Sequence, residues 1–166
     1  MHGPIDAFGV TGPALEGAGV RRIASSSELS VVGFTGVIAR LPRIFAVERA
    51  VERAARALRP AAAVLVDSPG FNFRIGPRLK RLGIRTFYYI APQVWAWHAE
   101  RAQAMSRWVD RLAVVFPFEE ELFRNAGVEA RFVGHPLIDD LSPEQNGDSL
   151  RAGLGRCCRS TSARPW

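Results

Sequence analysis

The sequence predicts an α/β fold, a Rossmann-like parallel sheet with flanking helices, and three observations carry that prediction. From Ala62 onward, short apolar runs alternate with helical stretches at intervals of about twenty residues, the rhythm of right-handed βαβ units. Each apolar run opens abruptly into a loop of Pro, Gly, polar and aromatic residues, as in Val66-Asp-Ser-Pro-Gly-Phe-Asn72 and Phe87-Tyr-Tyr-Ile-Ala-Pro-Gln-Val-Trp-Ala-Trp-His98. Two helical stretches stop at a glycine, Gly83 and Gly127, where a left-handed cap is expected. Loops at the carboxyl ends of parallel strands are where open α/β sheets bind ligands, so these two loops are the first place to look for function.

The first thirty residues are the least regular. Ala7–Val10 reads as a strand, Ala14–Gly19 as a brief helix, Val20–Ile23 as another extended piece, and Ser25–Ser27 with Glu28 as a loop into a helical start. Residues 31–41 are apolar but broken by Gly33 and Gly36, and Pro42 suits the first turn of a helix. Over Arg43–Leu58 the residues Ile44, Val47, Val51, Ala54 and Leu58 recur at helical spacing and predict one buried stripe. Glu52 and Arg56 make an i,i+4 pair on the other side. Ala62–Val66 is apolar throughout, which predicts a strand covered on both faces. Helix Arg74–Leu82, interrupted by Gly76 and Pro77, strand Arg85–Ile90, helix Glu100–Val109, strand Leu112–Phe116, helix Pro117–Ala126 and strand Ala130–Val133 follow. Residues 1–140 thus read as one domain, and 141–166 as a linker, with room for one helix over Leu141–Gly155, and a disordered tail from Arg156 with neither period, either out of frame or from a truncated gene model.

Composition narrows the function classes. A hydrophobic share of 48% with 23% charged residues is that of an ordinary globular domain. The net charge of +6 comes mostly from scattered arginines, compatible with nucleic acid, an anionic membrane surface or a phosphorylated substrate. No block of like charges appears, which disfavours a nucleic-acid partner. The two cysteines, Cys157 and Cys158, are adjacent and supply neither a metal site nor a disulfide framework. No apolar run reaches a membrane span and no signal-peptide pattern opens the chain, so a protein of the reducing cytosol is expected. The absence of G-x-G-x-x-G, P-loop and G-x-S-x-G motifs weighs against dinucleotide oxidoreductases, P-loop kinases and α/β-hydrolases.

The candidate site residues each have two readings. Asp67, at the end of a buried strand, either serves as a general base or caps the next helix and bonds loop amides. Asn72 either bonds a ligand hydroxyl or caps the following helix. Trp95 and Trp97 alternate in an extended loop and either stack on sugar rings or pack the loop down. His98 reads as a helix-start residue. His135, in Gly134-His-Pro136, can donate to a phosphate or hydroxyl. Glu119, Glu120 and Glu121 sit in a first helical turn, where negative charge suits the dipole.

Taken together, Phe8-Gly-Val-Thr-Gly-Pro13, Glu28-Leu-Ser-Val-Val-Gly33, Val66-Asp-Ser-Pro-Gly-Phe-Asn72, Tyr89-Ile-Ala-Pro-Gln-Val-Trp-Ala-Trp97, Phe116-Pro-Phe-Glu119 and Arg131-Phe-Val-Gly-His-Pro136 resemble the lipid-A-disaccharide synthases in order and spacing. The resemblance covers roughly residues 5–140. It implies part of the N-terminal domain of a two-domain GT-B glycosyltransferase. The implied reaction transfers 2,3-diacylglucosamine from UDP-2,3-diacylglucosamine to 2,3-diacylglucosamine 1-phosphate, giving a β-1,6 disaccharide and UDP without metal or cofactor. The family's candidate base falls on Asp67, and Asn72, Gln93, Trp95, Trp97 and His135 fall among its substrate-side positions. Some members carry a second acid where this chain has Gly70. Val37, Ile38, Leu41, Ile44 and Phe45, beside Arg40 and Arg43, match a segment thought to touch the membrane, which implies a cytoplasmic protein peripheral on the anionic inner-membrane surface.

The resemblance also implies a missing first strand with its glycine-rich loop and a missing second domain holding most UDP contacts. This chain is therefore expected to be inactive alone. Two rival readings stay open: a non-enzymatic membrane-surface or lipid-binding module, and another nucleotide-sugar enzyme of the same architecture, such as an epimerase.

Overall fold

A computed structural model of the chain describes residues 5–29, 34–93 and 99–139. In chain order it contains β1 (Phe8–Thr11), α1 (Pro13–Gly17), β2 (Arg21–Ser25), a 3₁₀ turn (Ser26–Glu28), α2 (Phe34–Leu58), β3 (Ala62–Val66), α3 (Pro69–Arg81), β4 (Arg85–Tyr89), α4 (Ala99–Met105), β5 (Arg111–Val114), α5 (Pro117–Asn125), β6 (Ala130–Phe132) and α6 (Pro136–Asp139). β1 and β2 form a two-stranded parallel sheet, and β3-β4-β5-β6 a four-stranded one, parallel throughout. The α/β, Rossmann-like expectation is met.

Parallel strands need crossovers, and the helices that make them bury one face of the sheet. On that face the register aligns Leu65, Tyr88, Leu112 and Ala130 in a row across all four strands. All four are buried, packed with Ile75 and Leu79 of α3, Met105 of α4, Phe123 of α5, and Trp108. The ladder runs on past the strand ends, with Asp67 N–H donating to Tyr89 O (3.0 Å), Ile90 N–H to Ala113 O (3.1 Å) and Val133 N–H to Val114 O (3.1 Å). The strands therefore present their carboxyl ends along one rim.

Four expectations need correction. β3 is not covered on both faces: among the described strands it lies at the sheet edge, and Val64 and Val66 are 64% and 50% exposed, the described helices packing on the Leu65 side. Helix α2 starts at Phe34 and carries Pro42 inside it. A proline there removes one helical N–H, a loss the packing of α2 on α3 and β2 offsets. Helix α3 begins five residues early, at Pro69, whose missing N–H costs nothing at the first position. Gly76 and Pro77 lie within it instead of interrupting it. Helix α4 stops at Met105, where Trp108 and Val109 N–H groups both turn back to the Met105 carbonyl.

The buried stripe of α2 also shifts. Val47 and Ala55 are in the core while Leu58 is exposed, and Glu48 is completely buried. Its carboxylate is neutralised by two α3 guanidiniums, Arg74 Nε at 2.7 Å and Arg78 Nη2 at 3.2 Å. Arg78 also reaches Glu52 at 3.6 Å, and Glu52 holds Arg56 at 2.6 Å as the i,i+4 spacing implies. A buried carboxylate is tolerated only when paired in this way, so the periodicity alone could not place Glu48 inside. At the amino end of the sheet, Asp110 accepts from Lys80 and from the Thr86 amide (2.8 Å). Lys80 first, then Thr86, holds its carboxyl below the usual range.

Candidate active site

The rim is built from the residues that follow each strand. After β3, Asp67 and Ser68 both take left-handed backbone conformations, with φ of 43° and 40°. Neither is glycine, and a Cβ disfavours that region, so something must hold them there. Asn72, in the first turn of α3, is 4% exposed, and its side-chain amide donates to Asp67 O (2.5 Å) and Val66 O (3.2 Å). Tyr88 reaches up from β4, and its hydroxyl donates to the same Asp67 O at 2.6 Å. The Phe71 and Asn72 amides close the turn on Ser68 O at 3.1 and 3.0 Å. With its backbone fixed in this way, Asp67 is exposed at the rim.

Beside it, β4 gives way to Ile90, also left-handed with φ of 65°. Ala91 and Pro92 then turn inward and Gln93 is exposed. Trp95, Trp97 and His98 lie outside the described residues, as do the side chains of Val37 and Ile38 and the tail of residues 141–166. After β5, Phe116 stacks on Phe118 (5.8 Å between ring centres), and Phe116 also faces His135 at 5.8 Å. After β6, Gly134 turns with φ of 85° and delivers His135 to the same rim. His135 Nδ1 accepts from the Leu137 amide at 3.2 Å, which leaves Nε2 as the ring's donor in the neutral form. Phe118, Leu137 and Ile138 are exposed around it.

Asp67, Gln93 and His135 therefore share one edge, a carboxylate at one end and a histidine with an aromatic rim at the other. Asn72 is near them but turned inward: as far as its amide bonds go, it holds the loop backbone. The reading of Asn72 as a helix cap is corrected, since the N-cap position of α3 belongs to Ser68. Leu41 and Ile44 are half-buried on α2, and Phe45 is exposed at 39%, its ring covered on one side by Arg74 at 4.3 Å. Sequence reading missed Tyr88 and the Phe116–Phe118 pair. The signal for Tyr88 was its parity: on β4 it alternates with Phe87, so if Phe87 faces out, Tyr88 faces in with its hydroxyl needing a partner. Glu119, expected to serve a helix dipole, is buried, and its Oε2 accepts from the Phe116 amide at 3.3 Å.

Among the described residues, no group of three or more His, Cys, Asp or Glu could hold a metal ion. No described helix is long and apolar enough to cross a membrane.

Comparison with known proteins identifies the family. The family model described as lipid-A-disaccharide synthetase matches residues 2–155. The chain is 46% identical over 151 residues to the lipid-A-disaccharide synthase of Anaeromyxobacter dehalogenans strain 2CP-C, covering 91% of this chain and 39% of that protein. It is 48% identical over 136 residues to that of Solibacter usitatus, covering 82% and 36%, and 42% identical over 165 residues to that of Koribacter versatilis, covering 98% and 42%. The chain thus spans about two fifths of the length of the curated relatives it matches, 39% for the Anaeromyxobacter protein. Motif order, parallel sheet and similarity agree, and the chain belongs to the lipid-A-disaccharide synthetase family of glycosyltransferases.

Proposed function

We propose that this chain supplies the acceptor-side half of a glycosyl-transfer site, with Asp67 as the base that removes the proton from the attacking hydroxyl. The observation that carries the reading is the placement of Asp67: an exposed acid on a left-handed turn at the carboxyl rim of a parallel sheet. Inversion at an anomeric carbon needs one base on the acceptor side, and a carboxylate fixed by its own backbone can provide it. The donor is UDP-2,3-diacylglucosamine and the acceptor 2,3-diacylglucosamine 1-phosphate, giving the β-1,6 disaccharide and UDP. Gln93 and His135 line the acceptor side, Trp95 and Trp97 bind the same substrate, and His135 Nε2–H donates to its phosphate or hydroxyl. Residues 1–140 form this half-site, and the UDP contacts lie in a second domain supplied by the rest of the relatives' length. The chain by itself turns over nothing.

The test is a chimera in which this chain replaces the corresponding segment of a full-length relative. With radiolabelled substrates the chimera should form the disaccharide, and the chain alone should not. A folded chimera that binds neither substrate, or disaccharide from the chain alone, rejects the reading.

Exposed Phe45, with exposed Arg43, Arg49 and Arg53 on the same helix, supports a second element of the proposal. The amino-terminal half of α2 rests on the anionic cytoplasmic surface of the inner membrane, where acylated substrates reside. Wild-type chain should float with vesicles containing anionic lipid, and an Ile38→Asp, Phe45→Asp variant should stay in the dense fraction. Equal flotation of a folded variant would remove the surface patch from the proposal.

A further inference from the structure

The Asp67 carbonyl gathers donors from two elements outside its own turn. Asn72 Nδ2 comes from α3 at 2.5 Å and Tyr88 Oη from β4 at 2.6 Å. Both donors are buried, Tyr88 completely and Asn72 to 4% exposure. The carbonyl lies between two residues whose φ values, 43° and 40°, are unfavourable for any side chain with a Cβ. Each such residue is strained and persists only when its surroundings over-determine it. Here the surroundings are the backbone bonds that close the turn on Ser68 O and, on the Asp67 carbonyl itself, these two side-chain hydrogen bonds. Burial pushes the Tyr88 phenol up to about 12, with Asn72 acting the other way, so the hydroxyl remains a donor across the physiological range.

We propose that Tyr88 and Asn72 are positioning residues, which hold Asp67 and Ser68 in their left-handed turn and so aim the Asp67 carboxylate across the rim. Neither touches substrate. A two-point anchor on the carbonyl fixes the plane of the Asp67–Ser68 peptide. That plane and φ together set the direction of the Asp67 Cα–Cβ bond. Removing one donor leaves a part-buried acceptor with half its side-chain partners, and the turn can relax toward the extended region. Tyr88 is suited to this role because its ring is locked in the core against Trp108, 6.1 Å away. The catalytic consequence rests on the reading of Asp67 as the base; the geometric claim does not.

Two measurements separate them. In the full chain, Tyr88→Phe should keep its far-UV circular dichroism. It should lose the left-handed carbon chemical shifts at Asp67 and Ser68, and amide exchange at Phe71 and Asn72 should accelerate at least about 10-fold. Asn72→Ala should do the same, which covers the case where Tyr88→Phe fails to fold. Unchanged shifts and exchange in a folded variant would overturn the positioning claim. In the chimera, Tyr88→Phe should lower kcat by roughly 100-fold while KM stays within about twofold, the signature of a misaimed group. A loosened turn with parental kcat would overturn the link to catalysis. If Asp67→Asn retained full rate while Tyr88→Phe loosened the turn, the base reading would fall and the positioning claim would stand.

Discussion

Asp67→Asn in the chimera of this chain with a full-length relative is expected to lower kcat by about 10²–10⁴-fold, the usual contribution of a positioned general base, with little change in KM. Asparagine keeps the shape and the left-handed tolerance of the residue, since Asn enters that region more readily than most side chains. The Asn72 and Tyr88 bonds go to the backbone carbonyl, so they survive the substitution. Only the ability to accept a proton is lost, which makes the variant a test of chemistry with the geometry held constant. Steady-state kinetics with both substrates varied would read it, and a rate within twofold of the parent would reject Asp67 as the base.

Gly76→Ala should be the most damaging single-methyl change to the described core. A Cβ at this position would fall 2.3 Å from Cζ3 and 2.4 Å from Cε3 of Trp108, far inside van der Waals contact. The indole cannot swing away. It is 5% exposed, packed edge-on by Phe73 at 5.5 Å, and its backbone carbonyl accepts from the Thr86 hydroxyl. Overpacking of this kind costs about 1–3 kcal/mol and occasionally more. The gain in helix propensity from Gly to Ala returns about 1 kcal/mol. A net loss of about 2 kcal/mol, the upper part of that range, is expected because the clash is with a rigid ring. Urea unfolding followed by circular dichroism would measure it, and a paired Trp108→Leu substitution should recover part of the loss. A Gly76→Ala variant as stable as the parent would show that α3 can lift off Trp108 freely. Because α3 also carries Asn72, the same displacement would disturb the turn at Asp67.

These two residues mark what the sequence could and could not show. Asp67 was legible because an apolar run that ends in Asp-Ser-Pro-Gly announces a strand opening into a loop. Its left-handed backbone was not, since Asp and Ser sit as readily in extended or helical backbone and the cause lies in Tyr88, twenty-one residues away. Gly76 read as a weak point in a helix; its purpose appears only once Trp108 is folded against it. The order of strands and helices followed from periodicity because each unit buries its own apolar face. The start of α2 did not, because Gly36 and Pro42 break the local pattern and tertiary contact with α3 and β2 overrides it. Glu48 was invisible for the same reason, its burial depending on Arg74 and Arg78 of another helix. The family was legible in short segments such as Pro92-Gln-Val-Trp-Ala-Trp97, whose specificity owes nothing to periodicity.

The open side of β3 has a consequence for reaction order. Folding of the chain is first order in protein, whereas pairing of one Ala62–Val66 edge with another strand is second order. That edge has no charge, proline or bulge to blunt it, and its valines face solvent. Doubling the concentration therefore doubles the folding flux but quadruples the encounters between edges. Yield of the monomer depends on dilution and on the rate of synthesis at least as much as on the free energy of the fold.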